Sequence, residues 1–130
     1  MDKELIEAAI SAMRSAYAPY SQFSVGAAVR ADNGRIYAGC NVENAAYPLG
    51  NCAETSAIAA MVVGGASRIT AVAVAGDGEA LVTPCGGCRQ RIREFAAPDV
   101  PIYVAGMEGH RATFTLQDLL PHAFGPENLS

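Results

Sequence analysis

The sequence predicts a three-layer α/β/α sandwich built on a mixed sheet of about five strands. Three observations predict it. The elements read in the order α-β-β-α-β-α-β-β-α, which places helices on both faces of one sheet. The run from Ile69 to Ala75 is apolar apart from Thr70, as expected for a central strand covered on both faces. The triplet Asp32-Asn33-Gly34 lies between two strand-like segments and marks a tight hairpin, because Asn-Gly tolerates positive φ.

Each element has a local reason. Residues 4–17 place Ile6, Ile10, Met13 and Tyr17 on one helical face, and Pro19 ends that helix. Residues 23–30 alternate Phe23, Val25, Ala27 and Val29 as a strand, and residues 35–40 return beside it. A polar loop from Asn41 to Asn51 contains Pro48 and Gly50. Residues 52–63 read as a buried helix, apolar almost all round after Ser56 and stopped by Gly64-Gly65. Past the central strand, a glycine-containing loop leads to Thr83-Pro84-Cys85. Residues 86–95 then form a helix with Ile92 and Phe95 inward, ended before Pro98. Ile102 to Ala105 is a short strand, and Thr113 to Thr115 is another after a turn at Gly109. Leu116 to Leu120 is a short helix, followed by the apolar tail Ala123-Phe124-Gly125-Pro126. With no repeat, linker or low-complexity block, residues 1–130 read as one domain.

Composition narrows the function. Hydrophobic residues make up 51% and charged residues 17%, which argues against disorder. The net charge is -4, and the one cluster of basic residues, Arg89 to Arg93, falls within a single helix. A polynucleotide substrate favours a basic stripe, so a small molecule is the expected substrate and nucleic acid is not. No apolar run approaches a membrane span. The start, Met1-Asp2-Lys3-Glu4, is acidic and unlike a secretory signal, so a cytoplasmic chain with reduced thiols is expected.

The chemistry concentrates in two segments, Cys52-Ala53-Glu54 and Pro84-Cys85-Gly86-Gly87-Cys88. Three thiolates can hold zinc and leave its fourth position for water, as a hydrolytic site requires. Both segments fall where a loop becomes a helix, so two helix N-termini favour thiolate over thiol. Cys52 and Glu54 do not share a helix side, yet they converge if the ion sits over the helix end. Zinc with three thiolates is one unit negative, so nearby donors must moderate its charge. Cys40 opens an alternative, a closed four-cysteine structural zinc with no place for water. His110 and His122 have no ligand at helical or turn spacing and read as non-ligands. Arg89, Arg91 and Arg93 read as a solvated helix face, with Arg89 and Gln90 placed to support the site from behind.

Six segments in order resemble the small homotetrameric cytidine deaminases, from about residue 5 to residue 129. They are Ala18-Pro19-Tyr20-Ser21, Phe23-Ser24-Val25-Gly26-Ala27-Ala28, Asn41-Val42-Glu43-Asn44-Ala45, Cys52-Ala53-Glu54, Pro84-Cys85-Gly86-Gly87-Cys88-Arg89-Gln90, and Leu119-Leu120-Pro121-His122-Ala123-Phe124-Gly125-Pro126. The resemblance implies hydrolytic deamination of cytidine and deoxycytidine to uridine and deoxyuridine, releasing ammonia in pyrimidine salvage. It implies one zinc ion per chain on Cys52, Cys85 and Cys88, with water activated there and Glu54 relaying protons. It further implies that the Ala53 N–H and Thr83 carbonyl position the ring. Phe23 would pack on the nucleoside, and Asn41 and Glu43 would hydrogen-bond the ribose. Tyr47 and Phe124 would reach into a neighbouring subunit's site within a homotetramer. The family often carries Arg directly after Cys-Ala-Glu, bonded to the zinc thiolates; here Thr55 stands there, and Thr55→Arg is expected to keep zinc and change turnover. Two other readings compete: a deaminase of blasticidin-type aminocytosine nucleosides, and a non-catalytic zinc-stabilised binding module.

Overall fold

The computed structural model describes residues 1–129. Its elements are α1 (Lys3–Met13), β1 (Val25–Ala31), β2 (Ile36–Cys40), α2 (Ala53–Val63), β3 (Ile69–Gly76), α3 (Gly86–Phe95), β4 (Pro101–Gly106), β5 (Gly109–Thr115) and α4 (Leu116–Leu119). The five strands form one sheet in the order β2-β1-β3-β4-β5. Only β3 and β4 run parallel; the other neighbours are antiparallel. The architecture is the expected mixed-sheet sandwich.

Strand alternation builds two cores. On one face Ala27, Val29, Val72, Val74 and Ile102 pack with Ala53, Ala57 and Met61 of α2 and Ile92 of α3. On the other face Ala28, Ala73, Ala75 and Ala105 meet Leu5, Ile6, Ala9 and Met13 of α1. The second face is nearly all alanine, so α1 lies close against it. The approach is closest at Gly26, where a Cβ would stand 2.0 Å from the Ala9 carbonyl oxygen. Gly26→Ala is therefore expected to destabilise the fold by about 1–3 kcal/mol, read as a lower urea midpoint. The β1–β2 hairpin turns at Gly34 with φ +83°, as the Asn-Gly pair leads one to expect.

Four local expectations are corrected. α1 stops at Met13 rather than near residue 17. Its last N–H groups tighten onto Ser11 and Ala12, and Tyr17 pairs instead with the backbone of Asn41 and Glu43. The first strand starts at Val25, because the Phe23 N–H and carbonyl are held by the side chains of Ser21 and Asn41 rather than by the sheet. α2 is not buried all round: Ala57, Ile58 and Met61 face the core, while Val62 and Val63 are 51% and 89% exposed. The last strand is longer than residues 113–115, since the reversal occurs at Met107-Glu108 and Gly109 already belongs to β5.

Candidate metal centre

Each metal-site segment is delivered by a helix start. Cys52 is the N-cap of α2 and Cys85 is the N-cap of α3, both with extended backbone before the first turn. Cys88 lies one turn into α3 and is fully buried. Their three sulfurs lie within 4.8 Å of one another. Tetrahedral zinc–sulfur bonds of about 2.3 Å place ligand sulfurs just under 4 Å apart, so the cluster suits one ion with little adjustment. Among the described residues no other three His, Cys, Asp or Glu side chains converge in this way. Cys40 ends β2 outside the cluster, which leaves the fourth coordination position to something other than protein sulfur. His110 bonds Thr113 and His122 lies near Arg93 and Leu120; neither joins the thiols.

Glu54 is the one buried charged side chain among the described residues, 4% exposed in the first turn of α2. Burial holds its carboxyl above the ordinary carboxylate range. Its own backbone N–H, hydrogen bonding with Cys88 and the Arg91 charge pull it partly back. Burial also pushes the Cys88 and Cys52 thiols up, and the neighbouring acidic groups add to both. Cys85 is the exception: the backbone N–H of Cys88 favours its thiolate. Four acidic groups crowded in this way cannot all ionise alone. A divalent cation among them reverses that balance, which is the behaviour of a metal-ligand set.

The approach to the centre is pinned by a short ladder. Val42 and Asn51 exchange backbone hydrogen bonds of 3.0 and 2.9 Å, and Tyr17 bonds Asn41 and Glu43 on the other side. This ties the Asn41–Glu43 loop to the residue preceding Cys52. The Asn41 carboxamide accepts from the Val25 N–H at 2.9 Å and donates to the Phe23 carbonyl at 2.8 Å. One N–H and one lone pair of that side chain remain. Glu43 accepts from the N–H groups of Tyr20 and Ser21 at 3.0 and 3.1 Å and from the Ser21 hydroxyl, which holds its carboxyl below the usual range. Glu43 and Tyr47 line one cleft with Tyr20, Ser21, Asn44 and Gly50. Phe23 is 39% exposed just ahead of β1. Ala53 occupies the first position of α2, where the helix supplies its N–H no partner.

Thr83 and Phe124 are fixed from α3. Arg89 donates to the Pro84 carbonyl at 2.6 Å, the Thr83 hydroxyl at 3.0 Å and the Leu119 carbonyl at 2.9 Å. Gln90 donates to the Phe124 carbonyl at 2.8 Å. Arg89 and Gln90 thus stand behind the Pro84-Cys85 loop and the C-terminal tail, as expected. Of the three arginines read as a solvated face, Arg91 is exposed yet reaches Cys88, while Arg89 and Arg93 are half-buried and Arg93 pairs with Glu127. The Ser21–Glu43 contact was not read from the sequence either. Its signal was faint, since the two residues are 22 positions apart.

Three thiols at two helix ends beside a buried carboxylate, on an α/β/α scaffold, define a zinc-binding hydrolytic class of protein. The model of the cytidine and deoxycytidylate deaminase zinc-binding region matches residues 1–104. The chain belongs to that family, and the zinc ion the family carries fits the three-cysteine cluster. It is 47% identical to a cytidine deaminase of Sporosarcina psychrophila over 131 aligned residues, which span 100% of this chain and 96% of the relative. It is 40% identical to a cytidine deaminase of Halalkalibacterium halodurans, covering 100% and 99% of the two chains. Among solved structures, the cytidine deaminase of Burkholderia pseudomallei superposes with a TM-score of 0.88 at 42% identity, over 95% of this chain and 99% of that one.

Proposed function

We propose that this chain is a zinc-dependent cytidine deaminase, converting cytidine and deoxycytidine with water to uridine and deoxyuridine plus ammonia, a step of pyrimidine salvage. The observation that carries the reading is the cluster of Cys52, Cys85 and Cys88 with the buried Glu54 carboxyl against it. In this reading the three cysteines hold the ion. A zinc ion held there lends Lewis acidity to a coordinated water.

The chain's own groups do the rest. Glu54 takes a proton from the attacking water and delivers it to N3 of the pyrimidine. It then carries the second water proton to the amino group on C4, which leaves as ammonia. Burial suits Glu54 to this exchange, because desolvation favours its protonated form and makes the carboxyl a better proton acceptor than an exposed one. The Ala53 N–H and the Thr83 carbonyl orient the ring. Phe23 packs on the nucleoside, and the remaining donor and acceptor of Asn41 with Glu43 bind the ribose hydroxyls. The experiment is ammonia release from cytidine, deoxycytidine and blasticidin. Faster turnover of the nucleosides is expected, and turnover of blasticidin alone would overturn the substrate assignment.

The same reading places the chain in the cytoplasm, where thiols stay reduced. No helix among the described residues is long and apolar enough to cross a membrane. It also makes the protein a homotetramer in which Tyr47 and Phe124 complete neighbouring sites. Their exposure of 74% and 56% supports this, as does the exposed Val62–Val63 end of α2. Light scattering is expected to give four chains. Phe124→Ala is expected to raise KM for cytidine; a monomer with full activity would contradict the assembly.

A further inference from the structure

The metal centre carries a charge problem that its three cysteines create. A dication with three thiolates is one unit negative, and the adjacent Glu54 adds another when ionised. Two helix N-termini offset about half a charge each. What remains calls for a cation beside the sulfurs.

Arg91 is placed to supply it. Its Nη1 stands 3.7 Å from the Cys88 sulfur, within hydrogen-bonding reach of a large, soft acceptor. The two residues are three apart on α3 and share a helix face. The side chain folds back toward the start of the helix, and Gly87 clears its path: a Cβ there would sit 3.2 Å from Arg91 Nη1. Across the α2–α3 cleft the facing wall from α2 is formed by Thr55 and Ile58, neither of which carries a charge. The other two arginines of α3 are committed elsewhere, Arg89 to carbonyls and the Thr83 hydroxyl, Arg93 to Glu127. Arg91 has no ion pair with a carboxylate among the described residues, although Glu94 lines the same cleft.

We propose that Arg91 is a positioning residue of the metal centre, whose guanidinium donates to the Cys88 thiolate from outside the coordination sphere and moderates its electron donation. This rests on the zinc reading above. A sulfur that shares its lone pair with a guanidinium gives less charge to the metal, and the metal stays a stronger Lewis acid. Position 91 thereby supplies from α3 what Thr55, on α2, cannot. Arg91 matters for turnover while touching neither substrate nor ion.

The test uses the full chain loaded with cobalt(II), whose sulfur-to-metal charge-transfer band reports thiolate donation without any substrate. Arg91→Leu is expected to move that band to lower energy, because an unbonded thiolate gives up its electron more readily. Arg91→Lys, which keeps the charge without the planar fork, is expected to fall between. Thr55→Arg placed in the Arg91→Leu protein brings a guanidinium from the opposite wall and is expected to move the band back. With zinc, kcat of Arg91→Leu on cytidine should fall by about tenfold or more with KM unchanged. Arg91 is exposed, so the fold is expected to persist, and the circular dichroism spectrum checks it. Coincident bands in wild type and Arg91→Leu overturn the proposal. A thiolate band that shifts as described in a protein that deaminates no nucleoside supports it while refuting the activity. A protein with no thiolate-to-cobalt band refutes the proposal and the metal reading together.

Discussion

Replacing Glu54 with Gln is expected to leave the fold and the zinc in place and to lower the cytidine deamination rate by about 100- to 10,000-fold. The amide matches the carboxylate in size and can still hydrogen-bond, but it cannot shuttle protons between water, N3 and the leaving amino group. The loss should fall on kcat, because the missing interaction belongs to proton transfer rather than to nucleoside binding. A second readout separates this from damage to the fold. In the metal-free chain burial raises the Glu54 carboxyl above its ordinary value of 4.5. A raised carboxyl pKa means the folded state binds its proton more tightly than the unfolded one. Stability is then full below about pH 4.5 and declines as pH climbs toward the folded value. Metal-free Glu54→Gln lacks this decline, so at neutral pH it should resist urea better than metal-free wild type, with the two converging in acid. A Gln variant with wild-type kcat would remove the carboxylate from the mechanism.

Cys88→Ala is the second large effect, and it differs in kind. Cys88 is fully buried within α3 and shares the sulfur cluster with both N-cap cysteines. Its loss leaves two thiols, too few for a three-sulfur site, so the purified protein is expected to contain little zinc. Activity should fall by at least about a thousandfold, about three of the six or more decades by which enzymes accelerate reactions. Ligand-linked stability goes with it. At a zinc concentration 100 times the dissociation constant, bound metal contributes about 2.7 kcal/mol, and the melting temperature should stop responding to added zinc. Glu54→Gln should keep that response. The pair of variants therefore splits metal holding from proton transfer.

Much of this was legible in the chain, for reasons that differ by residue. The fold followed from patterns with long reach: the Ile69–Ala75 run, apolar apart from Thr70, read as a strand covered on both faces, and Asp32-Asn33-Gly34 read as the turn of a hairpin. The metal ligands were legible because Cys52, Cys85 and Cys88 are rare, chemically soft residues at short spacings. What escaped was set by partners far apart in sequence. Tyr17 has helical spacing to Met13, yet its backbone is claimed by Asn41 and Glu43. Asn41 spends half its carboxamide on Phe23 and Val25. Arg91 looked like one charge among three on a solvated face. Its three-residue spacing from Cys88 was visible, but the direction of its side chain depends on the bare Gly87 surface and the α2–α3 cleft.

The central claim is that three thiolates hold one ion beside a proton-carrying carboxylate. It is tested most directly by counting zinc per chain in freshly purified protein and following cytidine absorbance before chelation, after chelation and after reloading. The account predicts one zinc per chain, activity lost with the metal and restored with it. Full activity in protein stripped of metal, or a reloaded ion bound by four sulfurs with no activity, would contradict it.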